Sequence, residues 1–284
     1  MSKTKLKTQK LVESAIMIAF ATVLSVIKIA ELPYGGSITA ASMLPIIILA
    51  YRCGIAWGLT SGLVYAVIQQ LLGVNHLGYF GQDVKSIVAV IALDYILAFT
   101  VVGLGGVFRI KGKISQSKAL ALGVLLAAIL RYTLHTIAGA TVWAGLSIPT
   151  EAALVYSLGY NATYMIPEAI INLVAAVYLS GLLDFTKPIP KRVVTAGAEA
   201  GTVGKRNLYL IATAILSLGI IYDCVAIFTK LQDPKSGSPT LAYLSEVNWI
   251  SVIIVSAVAL LAAAGIFIYL CVKKEMKNQK ETDN

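Results

Sequence analysis

Asp94 lies inside an apolar run, residues 86–103, that is otherwise long and greasy enough to cross a bilayer. A carboxylate near the centre of such a helix costs roughly 2.5 to 3.5 kcal/mol, so it needs a partner, a water-filled cavity or a function. Tyr95 beside it supplies an aromatic face, and an acid next to an aromatic ring suits a small organic cation. Two further stripes carry chemistry at helical spacing. Arg131, His135, Gly139 and Trp143 recur every four residues, as do Tyr156, Tyr160, Tyr164 and Glu168, with Asn161 adjacent on the wheel. This set points to binding. A metal centre needs two or more ligands at helical or turn spacing, and here one His and one acid fall on different segments. A hydrolase needs a nucleophile with its base, and Ser157 has no partner in the sequence. Arg131 and Glu168 read as a buried ion pair or hydrogen-bonded anchors.

The elements that position these groups must be membrane helices. The chain has 284 residues, 58% of them hydrophobic and 13% charged, with a mean hydropathy of +0.81. That composition excludes an ordinary soluble domain. Apolar stretches fall near residues 11–30, 43–51, 55–72, 87–108, 119–140, 154–183, 208–229 and 249–272. They predict an all-α integral membrane protein with eight spans, the second being short. The first is expected to stay uncleaved, because it is longer than a signal-peptide core. At about 1.5 Å per residue, Asp94, His135 and Asn161 each lie roughly 10 Å below the outer ends of their spans. Taken singly, His135 is an interhelical hydrogen bonder, and Trp143 and Tyr156 are interfacial belt residues. A common depth makes a shared, outward-facing cavity the economical explanation.

The formal net charge of +9 has a topological origin. Most of the 23 basic residues fall near the N-terminus (Lys3, Lys5, Lys7, Lys10), at Arg52, in 109–118, in 187–206 and in the tail from Lys273. With eight spans these segments share one side, which the positive-inside rule makes cytoplasmic together with both termini. No nucleic-acid partner is implied. A Pro-, Gly- and Lys/Arg-containing linker at 184–207 divides the chain into six spans (1–183) and two (208–284). Around Gly204 and Lys205, Glu199 and Arg206 occupy positions that a phosphate loop reserves for Gly and Ser/Thr, so ATP must be bound elsewhere if it is used. Cys53, Cys224 and Cys271 are far apart and lack metal-ligand spacing. Gly54, Gly58 and Gly62 have the spacing of close helix packing, and Ala15 and Ala19 form a similar small face on the first span.

These residues resemble a known family. The loop at 31–45, Tyr51-Arg-Cys-Gly54, Leu93-Asp-Tyr-Ile-Leu-Ala-Phe99, the Arg131/His135/Gly139/Trp143 series and the run Tyr156 to Glu168 look like the thiamine-specific substrate-binding subunit (S component) of energy-coupling factor (ECF) vitamin transporters. The resemblance covers residues 1 to about 183. It implies a six-helix vitamin-binding unit in a bacterial cell membrane, with Asp94 as counter-charge to the thiazolium and Tyr95, His135 and Trp143 against the vitamin's rings. Tyr156 and Asn161 would complete the pocket, Asn161 bonding the aminopyrimidine, and a first loop bearing Tyr34 would cover it. Ala15 and Ala19 would face the transmembrane coupling protein, with ATP hydrolysis on two separate ATPase subunits and no cofactor on this chain. Ile96 stands where many relatives carry proline, which bears on helix shape. Residues 184–284 have no counterpart in the family unit. A thiamine precursor or another vitamin is the alternative ligand, and an intramembrane enzyme or interaction protein the alternative class.

Overall fold

The computed structural model describes residues 3–32, 35–80, 83–109, 113–142, 150–193, 200–231, 233–235 and 240–282. Helix α1 (Lys3–Val26) leads into a hairpin of β1 (Lys28–Glu31) and β2 (Ser37–Thr39), antiparallel with Lys28 opposite Thr39 and Glu31 opposite Ser37. Positive φ at Gly35 (94°) suits glycine in the turn. Next come α2 (Leu44–Cys53) and α3 (Ile55–Leu72), joined at Gly54, whose φ of 101° breaks the helix. A 3₁₀ segment (Val74–Phe80) precedes α4 (Val84–Phe108). Then follow α5 (Gln116–Val142), α6 (Glu151–Leu182), a short hairpin of β3 (Leu183–Asp184) and β4 (Lys191–Arg192), α7 (Ala200–Phe228) and α8 (Trp249–Thr282).

Among the described residues, seven helices are long and apolar enough to cross a membrane: α1 and α3 to α8. The protein is therefore an all-α integral membrane protein, with a correction to the eight expected spans. Helix α2 has 10 residues, about 15 Å, half the hydrocarbon thickness. Its C-terminal end lies beside the start of α1, where Lys10 donates to the Cys53 carbonyl. The other half of this crossing is made by β2 and the turn after it. Thr39 and Ser42 reach Glu168 within the bundle. Non-helical backbone is tolerated at membrane depth where protein surrounds it, and Ile38, Met43 and Leu44 to Tyr51 are all buried. Hydropathy marks the helical half of this crossing and not the extended half.

The glycine series serves internal packing. A Cβ on Gly58 would strike Ala50 and the Gly103 carbonyl, and one on Gly62 would meet the Thr100 carbonyl at 2.8 Å. Such contacts let α2, α3 and α4 approach backbone to backbone, which drives association where no water is displaced. Helix α4 is irregular. After a first α-helical part capped by Asp83, which accepts from the Ser86 N–H at 3.2 Å, it becomes π-helical over Ile91–Leu97 and 3₁₀ over Val101–Phe108.

One end of the bundle gathers Lys10, Arg52, Arg109 and Lys187. Arg52 pairs there with Glu13 of α1 and donates to the carbonyls of Phe185 (2.7 Å), Lys187 (3.0 Å) and Pro188 (3.0 Å). Gln9 also reaches the Pro188 carbonyl, at 2.9 Å. The linker thus starts docked against α1. Hydrogen bonds from Thr186 hold the Asp184 carboxyl below the usual carboxylate range. Helices α7 and α8 form an antiparallel pair packed on α6, clasped by Ser256 donating to Asp223 (2.6 Å) and Tyr222 to Ser251 (2.8 Å). At the opposite end, Lys28 pairs with Glu31 at 2.6 Å.

Candidate functional site

The polar groups singled out by depth converge on one cavity of about 320 Å³, in the half of the bundle away from the basic end. Its size lies at the lower limit of small-molecule pockets, roughly 300 to 1,000 Å³. Asp94 enters from the π-helical part of α4 and its Oδ1 lies within hydrogen-bond distance of His135 Nδ1 of α5, at 2.9 Å. The two side chains are 17% and 11% exposed. A π-helical turn rotates side chains relative to an α-helix and recurs at functional sites. Here it carries Asp94 and Tyr95 on consecutive positions at the cavity wall.

Aromatic rings make up much of the remaining wall. Tyr95 stacks toward Phe99 at 6.5 Å between ring centres and donates its hydroxyl to the Gly73 carbonyl at 3.2 Å. Phe99 presents its edge geometry to His135 at 6.4 Å. On α6, Tyr156 and Tyr160 stack nearly parallel at 6.2 Å, and the Tyr160 hydroxyl accepts from the Gly36 N–H at 3.1 Å. That bond seats the β1–β2 hairpin on the cavity. A side chain at Gly36 would collide with Tyr160 and Tyr164, so glycine is required by close approach.

Asn161 is buried and locked. Its Oδ1 accepts from the Tyr164 hydroxyl at 2.6 Å and its Nδ2 donates to the Ser157 carbonyl at 2.8 Å. Ser157 in turn donates to the Thr136 carbonyl of α5 at 2.8 Å, which ties α5 to α6 at this level and gives Ser157 no general base. Gly139 sits opposite, where a Cβ would overlap Ser157 Oγ.

Deeper in the cavity, Arg131 and Glu168 approach to 3.6 Å, and Glu168 Oε1 also accepts from Thr39 (2.8 Å) and Ser42 (3.3 Å). The guanidinium of Arg131 lies 4.4 Å from the centre of the Phe99 ring. The acidic and basic side chains that line the cavity are Asp94, Glu168, Arg131 and Lys28, with His76 and His135.

Asp94, Tyr95, His135, Tyr156 and Asn161 all line this cavity. Tyr34 and Trp143 lie outside the described residues. Ala15 and Ala19 stand exposed on α1, away from the cavity. Phe99, Thr39, Ser42, Gln69 and Gly36 also line it and carried no signal in the sequence beyond their neighbourhoods. Among the described residues no group of three or more His, Cys, Asp or Glu is placed to hold a metal ion.

Comparison with known proteins bears on the same region. The profile of the family described as Thiamine transporter protein (Thia_YuaJ) matches residues 11–185, which span the whole cavity. The chain is similar to the Thiamine transporter ThiT of Bacillus subtilis (strain 168), 34% identical over 174 residues, 57% of this chain and 85% of that protein. It is similar also to the Thiamine transporter ThiT of Lacticaseibacillus paracasei, 28% identical over 192 residues, 63% of this chain and 88% of that protein. With cavity, polar set and matched region coinciding, this chain belongs to the thiamine transporter protein family.

Proposed function

We propose that this chain is the high-affinity thiamine-binding subunit of an ATP-driven, ECF-type importer, and that it captures the vitamin outside and releases it inward when a separate coupling module reorients it. The observation that carries this reading is the Asp94–His135 pair, set among aromatic rings at the wall of the cavity. A thiazolium is a permanent cation with a flat face. Counter-charge and aromatic attraction both strengthen in a desolvated, low-dielectric pocket.

Topology follows from charge. On the positive-inside rule, the end that carries Lys10, Arg52, Arg109 and Lys187 faces the cytoplasm in this reading, together with both termini, and the cavity opens outward. The exposed Ala15 and Ala19 leave α1 a smooth strip on which a transmembrane coupling protein can lie closely. ATP binding and hydrolysis belong to two ATPase subunits.

The purified chain is expected to bind thiamine with quenching of tryptophan fluorescence. Asp94→Asn keeps the shape of the side chain and removes its charge, and should weaken binding by about 30-fold or more, the cost of stripping one partner from a buried charge pair. Unchanged affinity would sink the role given to Asp94. Uptake in cells lacking the coupling module should vanish while binding persists, and transport there would overturn the need for partners.

A further inference from the structure

The tip of the β3–β4 hairpin reads Lys187-Pro-Ile-Pro-Lys-Arg192, and the isoleucine at its centre, Ile189, is 70% exposed. Lys187, Lys191 and Arg192 flank it and are exposed as well. Lys191 stands opposite Asp184 and Arg192 opposite Leu183, so these two successive cations leave the ribbon on opposite faces. One carboxylate of the hairpin opposes the three, Asp184, 3.8 Å from Lys187 Nζ.

Depth gives this tip its meaning. The Pro188 carbonyl accepts from Gln9 of α1, and Gln9 and Lys10 directly precede the apolar stretch of that helix. The hairpin also follows at once on α6, which ends at Leu182. The tip therefore lies where hydrocarbon gives way to headgroups, a layer roughly 5 to 8 Å thick on each side. An isoleucine exposed to water gains nothing, whereas at this depth it covers its apolar surface among the upper parts of the lipid chains. The backbone allows the entry at low cost. Pro188 and Pro190 have no N–H to strand, and the carbonyls of Lys187 and Pro188 already accept from Arg52.

We infer that the β3–β4 hairpin is a docking site for acidic phospholipid, with Ile189 inserted between headgroups and Lys187, Lys191 and Arg192 on their phosphates. Charge complementarity selects acidic over zwitterionic lipid, because three cations outnumber the one carboxylate beside them. Arg192 offers a fork that fits two phosphate oxygens, and the lysines act as point charges. The same hairpin carries the carbonyls that hold Arg52, so the bound lipid steadies the clasp between α1 and the end of α6.

The test uses the full-length chain in micelles containing phosphatidylglycerol and phosphatidylcholine in equal amounts, with retained lipid counted by native mass spectrometry. The wild type should favour phosphatidylglycerol by about fivefold or more, the scale of one cation at a charged lipid surface. Lys187→Gln, Lys191→Gln and Arg192→Gln combined should bring that ratio below about twofold. Lys7→Gln, Lys113→Gln and Lys118→Gln, equal in number and exposed, should leave it within about twofold of wild type. Equal losses in the two triple variants would reduce the effect to diffuse charge and overturn the inference, as would a wild type without preference. Insertion is read separately from a fluorophore on Ile189→Cys, with Cys53, Cys224 and Cys271 replaced by Ala, in phosphatidylglycerol vesicles. Quenching by lipid-borne nitroxide and resistance to aqueous acrylamide are expected, and the reverse pattern refutes the insertion of Ile189. A hairpin triple variant that keeps its lipid preference but loses uptake would assign these cations to an acidic protein surface, and the inference fails.

Discussion

Gly139 sets the distance between α5 and α6 at the level of the site. A methyl group there overlaps Ser157 Oγ, which is itself held by the Thr136 carbonyl and cannot swing away without losing that bond. Overpacking of this kind costs about 1 to 3 kcal/mol. Gly139→Ala should therefore weaken thiamine binding by about tenfold or more in a fluorescence titration. Gly139→Ala combined with Ser157→Ala removes the hydroxyl that the methyl strikes, and should recover most of the loss. Two single losses that simply add would refute the steric account. At this scale much was legible. Asp94 stood out by energy and His135 by depth, because charges in an apolar run are rare and helical rise converts residue counts into distance. The engagement of Asn161 was not legible, since Tyr164 and Ser157 are neighbours that a wheel shows but whose bonds it does not. Arg131 and Glu168 read as a buried ion pair or hydrogen-bonded anchors, and nothing in the sequence could reveal that Thr39 and Ser42 bond the carboxylate.

The elements divide by whether hydropathy can see them. Most long apolar helices were legible to within about three residues, but the first stretch, expected over 11–30, ends as a helix at Val26 and gives way to β1; that hairpin, the extended half of the second crossing and the π-helical part of α4 were not legible. Each of these departs from regular helix because neighbouring protein satisfies its backbone or fixes its rotation, and that information is spread over distant residues. Arg52 illustrates the point. In the sequence it is one isolated basic residue, yet its guanidinium joins α1 through Glu13 and the turn between β3 and β4 through three carbonyls. Its side chain is 5% exposed and that of Glu13 16%. Arg52→Ala strands a largely buried carboxylate, a loss of about 3 kcal/mol. A lowered thermal unfolding midpoint in detergent is expected. Arg52→Lys should recover less than half of the difference, because a single ammonium cannot reach carboxylate and carbonyls together. Thiamine affinity in Arg52→Lys should stay within about threefold of wild type, since Arg52 does not line the cavity. An unshifted midpoint in Arg52→Ala would show that the clasp contributes nothing.

For the whole molecule the question is how far the site depends on the α7–α8 pair, which lies beyond the family match. All cavity-lining residues fall between Ser25 and Glu168. The pair meets the bundle through Ile221 and Val225 on the core and through Leu210 near Gly181, contacts that lipid can replace at modest cost because no apolar surface meets water. The boundary of the binding unit is nevertheless later than the composition shift at Asp184 suggests. Phe185 is 4% exposed, its N–H donates to Gln116 Oε1 at 2.8 Å, and its carbonyl accepts from Arg52. Lys187 and Pro188 supply the other carbonyls of that clasp, and Val193 closes the hairpin by donating to Leu182 at 2.9 Å. Two truncations should therefore behave differently. A chain ending after Val193 keeps every one of these bonds and should bind thiamine within about threefold of the full chain. A chain ending after Asp184 leaves Arg52 without its three carbonyl acceptors and Gln116 without the Phe185 N–H, and should unfold at a clearly lower temperature. Equal stability of the two would place the boundary back at Asp184. Loss of thiamine binding after the cut at Val193 would instead make α7 and α8 part of the binding unit, a role that the position of the cavity argues against.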